Sequence, residues 1–529
     1  MKKNFKFSIF NFQLFLITAI LILAAFLRLY RIQDYMTFLG DEGRDVLVVY
    51  NILHGHFTLL GPTASVGGFF LGPIYYYFMT PFLFLFGYNP VGPAVMVALF
   101  GIATVWLVYK VGTEFFGKRG GIIASFLYSI SPMVIVHSRF SWNPNLVPFF
   151  SLLCLYLIYK ARLGKIFLLS GFLFGILMQL HYLSVFLGVI IVLYMLFAEF
   201  LQAEGFTIKV KNLLQKYLLF LGGFIIGWSP FLAFEVRHGF LNIRNIFYFV
   251  FHSGDTGGNG RFLQIISDVF FRLFARLLTN FPSSEQISAG IYKNVSLWHA
   301  ATLLLAIVSI LILVYKAVKS FHSDKKVFKQ ISLLLFWLFF GVLLFGFYKK
   351  PIYDYYFEFM FPLPFLIVGG AISEVQKAVG KYSKAVRLTS LAVIAVIILS
   401  LTWINIKSAP FLSEPNRQLY QMETISKFVF NKTEGKPFNF ALITGSNSDF
   451  AYRYFFTLWG RPPVTIENFA QDPNRKTVTN QLLVVCESLP CHPLGNSLWE
   501  IAGFGRAEIV GEWNVSVVKV YKLIHYQGK

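Results

Sequence analysis

Val66-Gly-Gly-Phe-Phe-Leu-Gly-Pro-Ile-Tyr-Tyr-Tyr-Phe-Met-Thr-Pro-Phe-Leu-Phe-Leu-Phe-Gly87 is the stretch whose reading decides how this chain is threaded. It is apolar enough to lie in lipid. Yet Gly67, Gly68, Gly72, Pro73 and Pro81 interrupt it, and such residues break a plain spanning helix. Other apolar runs lie at about 8–30, 91–110, 120–137, 145–161, 166–181, 182–202, 217–234, 296–317, 330–347, 355–372 and 388–406. About 20 apolar residues cross the hydrocarbon layer as a helix, so these runs read as spans.

Charge then decides whether 66–87 crosses. Lysine and arginine collect in cytoplasmic loops. If 66–87 stays on one side, several groups share the face of Lys2, Lys3 and Lys6. They are Lys110, Lys118 and Arg119; Lys160, Arg162 and Lys165; and Lys209, Lys211 and Lys216. Lys316, Lys319, Lys325, Lys326 and Lys329 follow, and then Lys377, Lys381, Lys384 and Arg387. If it crosses, every loop from Lys110 onward moves outside and the rule fails throughout. The expected fold is therefore an all-α polytopic membrane protein with about 11 transmembrane helices and 66–87 juxtamembrane or re-entrant. The N-terminus lies inside, and the outer segments are 31–90, 138–144, 235–295, 348–354 and 408–529.

Composition agrees. Of 529 residues, 56% are hydrophobic and only 13% charged, with a mean hydropathy of +0.62. Soluble domains carry about a quarter charged residues. The net charge of +21 sits in short loops between apolar runs, which reads as topology, so no nucleic-acid partner is expected. The first run is too long for a typical signal peptide and reads as an uncleaved span. Residues 1–407 form the expected transmembrane domain. Residues 408–529 form a small extracytoplasmic α/β domain, with strands near Phe438–Thr444 and Leu482–Cys486 and a helix over 448–458. A hairpin is expected over 507–524, turning near Asn514. The three cysteines imply no disulfide framework, and pairing of Cys486 with Cys491 is left open.

Polar clusters gather on the outer face. The sharpest is Gly40-Asp-Glu-Gly-Arg-Asp45, opening a helix expected over Glu42–His54 with Asp41 at its N-cap. Capping explains the acids blandly; a positioned carboxylate base for a hydroxyl acceptor explains them chemically. Ser138-Arg-Phe-Ser-Trp-Asn-Pro-Asn145 is either a turn with an interfacial Trp or a set of donors to phosphate or sugar. His181 and Tyr182 follow Gln179 on the same face. A loop holding Arg237, His238, Arg244, His252 and Arg261 contains Gly254-Asp-Thr-Gly-Gly-Asn-Gly260. That stretch lacks the ending of a phosphate loop and reads as flexible. Lys349 and Lys350 break the charge rule, and an anionic lipid headgroup supplies a reason. Tyr356 follows, and Glu358 should face protein or water. His54 and His56 alone make a weak metal site.

Asp41 and Glu42 after the first span, the segment Gly67–Tyr77, and Lys350 with Tyr355-Tyr-Phe and Pro362 together resemble the GT-C membrane glycosyltransferases. The resemblance runs toward family 39 protein O-mannosyltransferases and lipid A aminoarabinose transferases, and covers roughly 1–407. It implies a polyprenyl-phosphate-linked sugar as donor. Transfer with inversion would reach an extracytoplasmic acceptor (lipid, glycan or protein hydroxyl) at the cytoplasmic membrane, amid membrane lipids. Asp41 would then be the base, with Glu42 or Asp45 as a second carboxylate unless the acceptor chemistry differs. Arg44, Arg139, His181, Arg237, His252, Lys349, Lys350 and Tyr356 are the expected ligands of substrate and phosphate. The relatives carry Glu-Lys before the Pro of the juxtamembrane segment, serving a metal and the phosphate. Leu71-Gly72 stand there here, and Asn143 and Asn145 stand near where relatives often have an Asp. No cofactor is expected beyond a divalent metal, against which Leu71-Gly72 argue. A transporter or flippase of lipid-linked glycans, and a polymerase or ligase of surface polysaccharide, are the competing readings. The first would favour internal repeats and mid-membrane polar sites, and neither is evident.

Overall fold

The computed structural model describes residues 9–161, 164–202, 205–258, 260–290 and 292–528. Lys2, Lys3, Lys6, Arg162 and Asn259, used above, lie outside the described residues.

Helix α1 (Ile9–Leu29) has no charge until Arg28 in its last turn. A short helix, Ile32–Tyr35, turns the chain into α2 (Gly40–Leu53). α2 buries Val46, Val49 and Ile52 at helical spacing. Residues 61–72 then double back as a tight hairpin. Gly61 N–H donates to Leu71 O (2.9 Å), Leu71 N–H to Pro62 O (2.8 Å) and Ala64 N–H to Phe69 O (2.9 Å). Helix α3 (Ile74–Leu85) follows, with Pro81 inside it. Twelve residues rise roughly 18 Å, well short of the ~30 Å hydrocarbon layer. The stretch 66–87 is thus half hairpin, half short helix.

Six helices among the described residues are long and apolar enough to cross a membrane, and two bent pairs raise the number to 8. The bent pairs are Phe206–Gly227 with Ser229–Arg237 and Asp354–Met360 with Leu363–Val379. The chain is a multi-pass membrane protein. Three further runs expected as spans take shorter or broken forms. Lys118–Ile130 stops at Ser131 and resumes as Pro132–His137, because Pro132 opens a helix and cannot continue one. Val147–Lys160 and α4 (Lys165–Leu180) are the other two. Helices α5 (Val185–Phe200), α6 (Phe262–Leu278) and α7 (Lys325–Leu343) complete the parts needed below.

After Lys407 the chain leaves helix Lys384–Lys407 and builds a four-stranded sheet of order β1-β2-β4-β3. Strand β1 (Asn439–Ile443) pairs parallel with β2 (Gln481–Cys486), Phe440 opposite Leu483. The crossover contains α8 (Phe450–Leu458), as a parallel pair requires. Strands β3 (Ala507–Val515) and β4 (Val518–His525) form the hairpin, turning just after Asn514. Every residue of β2 is buried. Leu483 and Val485 face the main core, while Leu482, Val484 and Cys486 face a smaller one with Ile466, Ile501 and Phe504. Cys486 and Cys491 are joined as a disulfide.

The sheet unit sits against the head of α2, and one apolar cluster runs from Phe38, Val46 and Val49 to Ala451, Tyr454 and Phe455. Phe38 rests edge-on against Tyr454 and Phe455. The Tyr454 hydroxyl donates to Tyr88 O. The approach is close because Gly40 and Gly43 lack side chains. A Cβ on Gly43 would lie 2.3 Å from Ala451 N, and one on Gly40 2.0 Å from Ser448 Oγ. Gly43→Ala is therefore expected to destabilise the protein by about 1–3 kcal/mol, since a methyl must push α8 backbone away. Gly258→Ala, which meets open space, should leave it unchanged. Thermal unfolding of the two purified variants in one detergent compares them; equal midpoints would mean that the α2–α8 contact gives freely.

Candidate active site

The first turn of α2 divides its acids by environment. The N-cap is Leu39 and not Asp41, since the helix begins at Gly40, two residues earlier than the sequence implies. Glu42 takes over the cap: its Oε2 accepts from Leu39 N–H at 3.0 Å. Glu42 is buried, and burial pushes its carboxyl up to about 7. Asp45 lies one turn on and is fully buried. Its Oδ1 accepts from Arg44 Nε (2.9 Å), Arg44 Nη2 (2.8 Å) and the Tyr76 hydroxyl (3.3 Å), while Oδ2 has no partner. Burial raises it to about 6, with Arg44 pulling the other way. Asp41 alone is open, its side chain 59% exposed, with Arg44 Nη1 at 2.9 Å from its Oδ1.

Asp41 and Arg44 line a cleft with residues 62–65, Leu71, Trp142, Asn143, Pro144, His181, Tyr182 and Tyr355. Each wall has a local cause. The hairpin 61–72 closes because Gly61 lets Gly72 approach. Gly72 itself is pressed on Gln179, which bridges Ile74 N–H (3.3 Å) and Gly227 O (2.6 Å). Asn143 Nδ2 donates to Leu180 O at 2.5 Å, fixing the Trp142 turn onto the end of α4. The Tyr75 hydroxyl meets Ser141 Oγ at 2.7 Å.

The far wall is aromatic. His181 stacks on Tyr182 (4.8 Å between ring centres), and Tyr355 stands edge-on to Trp142 at 4.6 Å. His181 Nδ1 accepts from Leu183 N–H (3.3 Å), which leaves its proton on Nε2. Tyr356 is buried behind this wall, 5.7 Å from the His181 ring and 4.6 Å from Tyr355. The Tyr182 and Tyr348 hydroxyls lie 3.3 Å apart. The cleft is narrow, about 40 Å³.

The other residues singled out from the sequence lie elsewhere. Arg139 is buried under the end of α1, donating to Leu27 O and Tyr30 O at 2.7 Å each with its guanidinium over the Tyr35 ring. In this position it ties down helix ends and does not line the cleft. Arg237 is exposed at the end of Ser229–Arg237. His252 stacks on Tyr248 beside Arg244 and Phe247, in a separate groove. Lys350 Nζ is 3.1 Å from Asp255 Oδ1, and Lys349 N–H donates to Asp255 O. That pairing corrects the reading of 254–260 as wholly flexible: Gly257 N–H also donates to Phe347 O, so Asp255–Gly257 is zipped to 347–349. His54 is engaged with Tyr50 O (2.8 Å). At Leu71-Gly72, Leu71 offers no donor atom and Gln179 fills the space beside Gly72, so the position does not fit a metal.

Two features escaped the sequence. Arg272 and Arg276, one turn apart on the amphipathic α6, both grip Asp354, at 2.6 Å and 2.8 Å. They pin the segment that delivers Tyr355 and Tyr356, and their i,i+4 spacing was the only local signal. The second is Asn447, whose Oδ1 accepts from Gly40 N–H (2.9 Å) while Nδ2 donates to Glu487 (3.0 Å). Nothing local links residue 447 to residue 40.

Residues 71–228 match the family described as dolichyl-phosphate-mannose-protein mannosyltransferase. The Bacillus subtilis (strain 168) protein YkcB, whose own assignment as a mannosyltransferase is provisional, is 30% identical over 155 residues, 29% of this chain and 22% of that protein. The chain thus matches about a fifth of that relative's length. Among solved structures, ArnT from Cupriavidus metallidurans bound to undecaprenyl phosphate superposes with a TM-score of 0.59 at 11% identity, covering 97% of this chain and 98% of that one. The oligosaccharyltransferase AglB from Archaeoglobus fulgidus, in complex with an inhibitory peptide and a dolichol-phosphate, gives 0.52 at 15% identity, covering 90% and 70%. The chain has the GT-C fold.

Proposed function

We propose that this protein transfers a sugar from a polyprenyl-phosphate carrier to a hydroxyl acceptor, with Asp41 as the base. The observation that carries the reading is Asp41 itself. It is the one carboxylate of its turn that is open, and it faces a wall of Trp142, His181, Tyr182 and Tyr355. Flat aromatic faces suit a sugar ring, and a few polar groups orient it. The matches to structures holding undecaprenyl phosphate and dolichol-phosphate support a lipid-linked donor.

The chemistry balances with one base. Asp41 takes the proton of the acceptor hydroxyl as its oxygen attacks C1 from the face opposite the phosphate. The C1–oxygen bond to phosphate breaks, and the lipid phosphate leaves with the electron pair. One displacement inverts C1. Arg44, 2.9 Å from Asp41, sets a cation beside the reacting atoms. His181, through Nε2–H, and the Tyr182 hydroxyl are placed to donate to the leaving phosphate. Tyr356 braces the wall. Glu42 and Asp45 act as positioning groups, one capping α2 and the other orienting Arg44. Because the cleft holds only about 40 Å³, a sugar enters as its walls part. The lysine-rich loops, taken as cytoplasmic, put this chemistry on the extracytoplasmic side of the cytoplasmic membrane.

Asp41→Asn should lower transfer from a radiolabelled polyprenyl-phosphate sugar by roughly 10²- to 10⁴-fold while the protein still elutes as a folded species. Wild-type turnover in that variant would remove Asp41 from the role. A second expectation follows from Glu42. Its folded carboxyl titrates near 7, above the usual carboxylate range, so the folded state holds a proton that the unfolded chain has lost. Stability attributable to Glu42 is then full below about pH 4 and declines as pH rises toward 7. Glu42→Gln keeps an oxygen for Leu39 N–H and cannot ionise. Its melting temperature should vary less than wild type between pH 5 and pH 8, and an unchanged slope would mean Glu42 is ionised in the fold.

A further inference from the structure

The largest cavity among those described lies at the other end of the bundle. It measures about 670 Å³ and is walled by the ends of Val147–Lys160, α4 and α5 and the start of α7. The cleft lies at the opposite ends of α4 and α5, and 16 helical residues separate the two levels, roughly 24 Å. Five lysines line the cavity (Lys160, Lys216, Lys325, Lys326 and Lys329) against two glutamates, Glu114 and Glu199.

The carboxylates do not use up this charge. Lys216 and Glu199 form a buried pair that neutralises itself. Lys160 and Lys326 share Glu114, at 3.5 Å and 3.7 Å. Among the described residues, Lys325 Nζ reaches a carbonyl, Leu201 O at 3.4 Å, and Lys329 has no ion pair. Three positive charges in excess among the described residues therefore converge on one half-open space. Like charges held side by side repel, and an anion between them relieves that. Basic pockets between membrane helices are binding sites for phosphate-bearing lipid headgroups.

A second feature selects a lipid over a soluble anion. An apolar groove of about 480 Å³ runs between α5 and α7, lined by Leu193, Leu196, Phe197, Phe200, Phe336 and Phe340. On α7, Lys325, Lys329, Phe336 and Phe340 are spaced by four, seven and four residues and share one face. A headgroup held by Lys325 and Lys329 thus has an apolar stripe following it along the same face of α7. We propose that this cavity is a second lipid site, which binds the phosphate of an anionic lipid at the lysine-rich end of the bundle, remote from the cleft.

The test uses the full-length protein in detergent micelles, titrated with dioleoyl phosphatidylglycerol, with phosphatidylcholine, or with inorganic phosphate. Phosphatidylglycerol should raise the melting temperature, and the other two should not. In Lys325→Gln/Lys329→Gln the half-effect concentration should rise roughly 25-fold, about fivefold per lysine near a lipid phosphate. Lys381→Gln, an exposed lysine at the same end of the bundle and outside the cavity, should titrate as wild type. A wild-type response in the double variant would overturn the site. An equal rise with inorganic phosphate would overturn the lipid and leave a soluble anion. If the double variant does not fold, Lys329→Arg and Lys329→Gln serve instead: binding kept in the first and weakened roughly fivefold in the second supports the site, and no difference refutes it.

Discussion

The contact between the head of α2 and the sheet unit is the constraint on which the cleft depends. Asn447 accepts from Gly40 N–H and donates to Glu487, which also accepts from the Tyr452 hydroxyl at 2.7 Å. The orphan N–H groups at a helix start must find partners. Here Glu42 caps Leu39 from within and Asn447 caps Gly40 from 407 residues away. With both caps in place the first turn cannot rotate, and Asp41, between them, is left pointing at solvent. Gly40 and Gly43 make this possible by leaving no side chain where α8 arrives. Residues 408–529 thus hold one wall of the site and are more than an appendage.

The opposite wall is held by a different device. Asp354 is gripped by Arg272 and Arg276, and Arg272 also lies over the Phe357 ring at 5.0 Å. Asp268, 3.0 Å from Arg272, makes two carboxylates against two guanidiniums, so the cluster fixes geometry without carrying net charge into the cleft. Between the walls, Gln179 and Asn143 join the hairpin and the Trp142 turn to the end of α4. Each of these polar groups would cost free energy in an apolar bundle without its partner. Their pairing rigidifies the cleft floor, while Tyr355 and the 62–65 loop carry fewer such ties.

Much of this was legible in the chain because apolar runs and lysine turns repeat so often. The helical bundle, the β1–α8–β2 crossover and the final hairpin each carry their own local pattern. The short, broken helices near Ser131 and Asn143 were less legible, since spanning length and a proline break look alike from composition alone. In the cleft, Asp41, Arg44 and His181 stand together, and each is conspicuous in the chain as a polar residue between apolar runs. Arg139 is conspicuous for the same reason: a cation beside a span looks like a ligand whether it meets a phosphate or, as here, the carbonyls of a helix end. Lys349 and Lys350 were conspicuous too, but Asp255 answers Lys350 at 3.1 Å. Contacts such as Asn447 with Gly40 have no local signature at all.

The sequence Asp41-Glu-Gly-Arg-Asp45 also shows why three carboxylates in five residues need not be three reactive groups. A helix turns about 100° per residue, which swings Glu42 away from Asp41, while Asp45, four residues on, shares the face of Asp41 one turn deeper, under Arg44 and Tyr76. Glu42 and Asp45 are both buried, where burial favours their neutral forms and hydrogen bonds hold them still. Asp41, at the head of the helix, is open and meets water and Arg44. A base must reach the proton it takes, within about 3 Å of the acceptor oxygen. Glu42 and Asp45 fail that requirement by position before any question of proton affinity arises. Arg44, between Asp41 and Asp45, faces both conditions at once. Its buried partner fixes the guanidinium, and that fixed charge stands 2.9 Å from the exposed carboxylate.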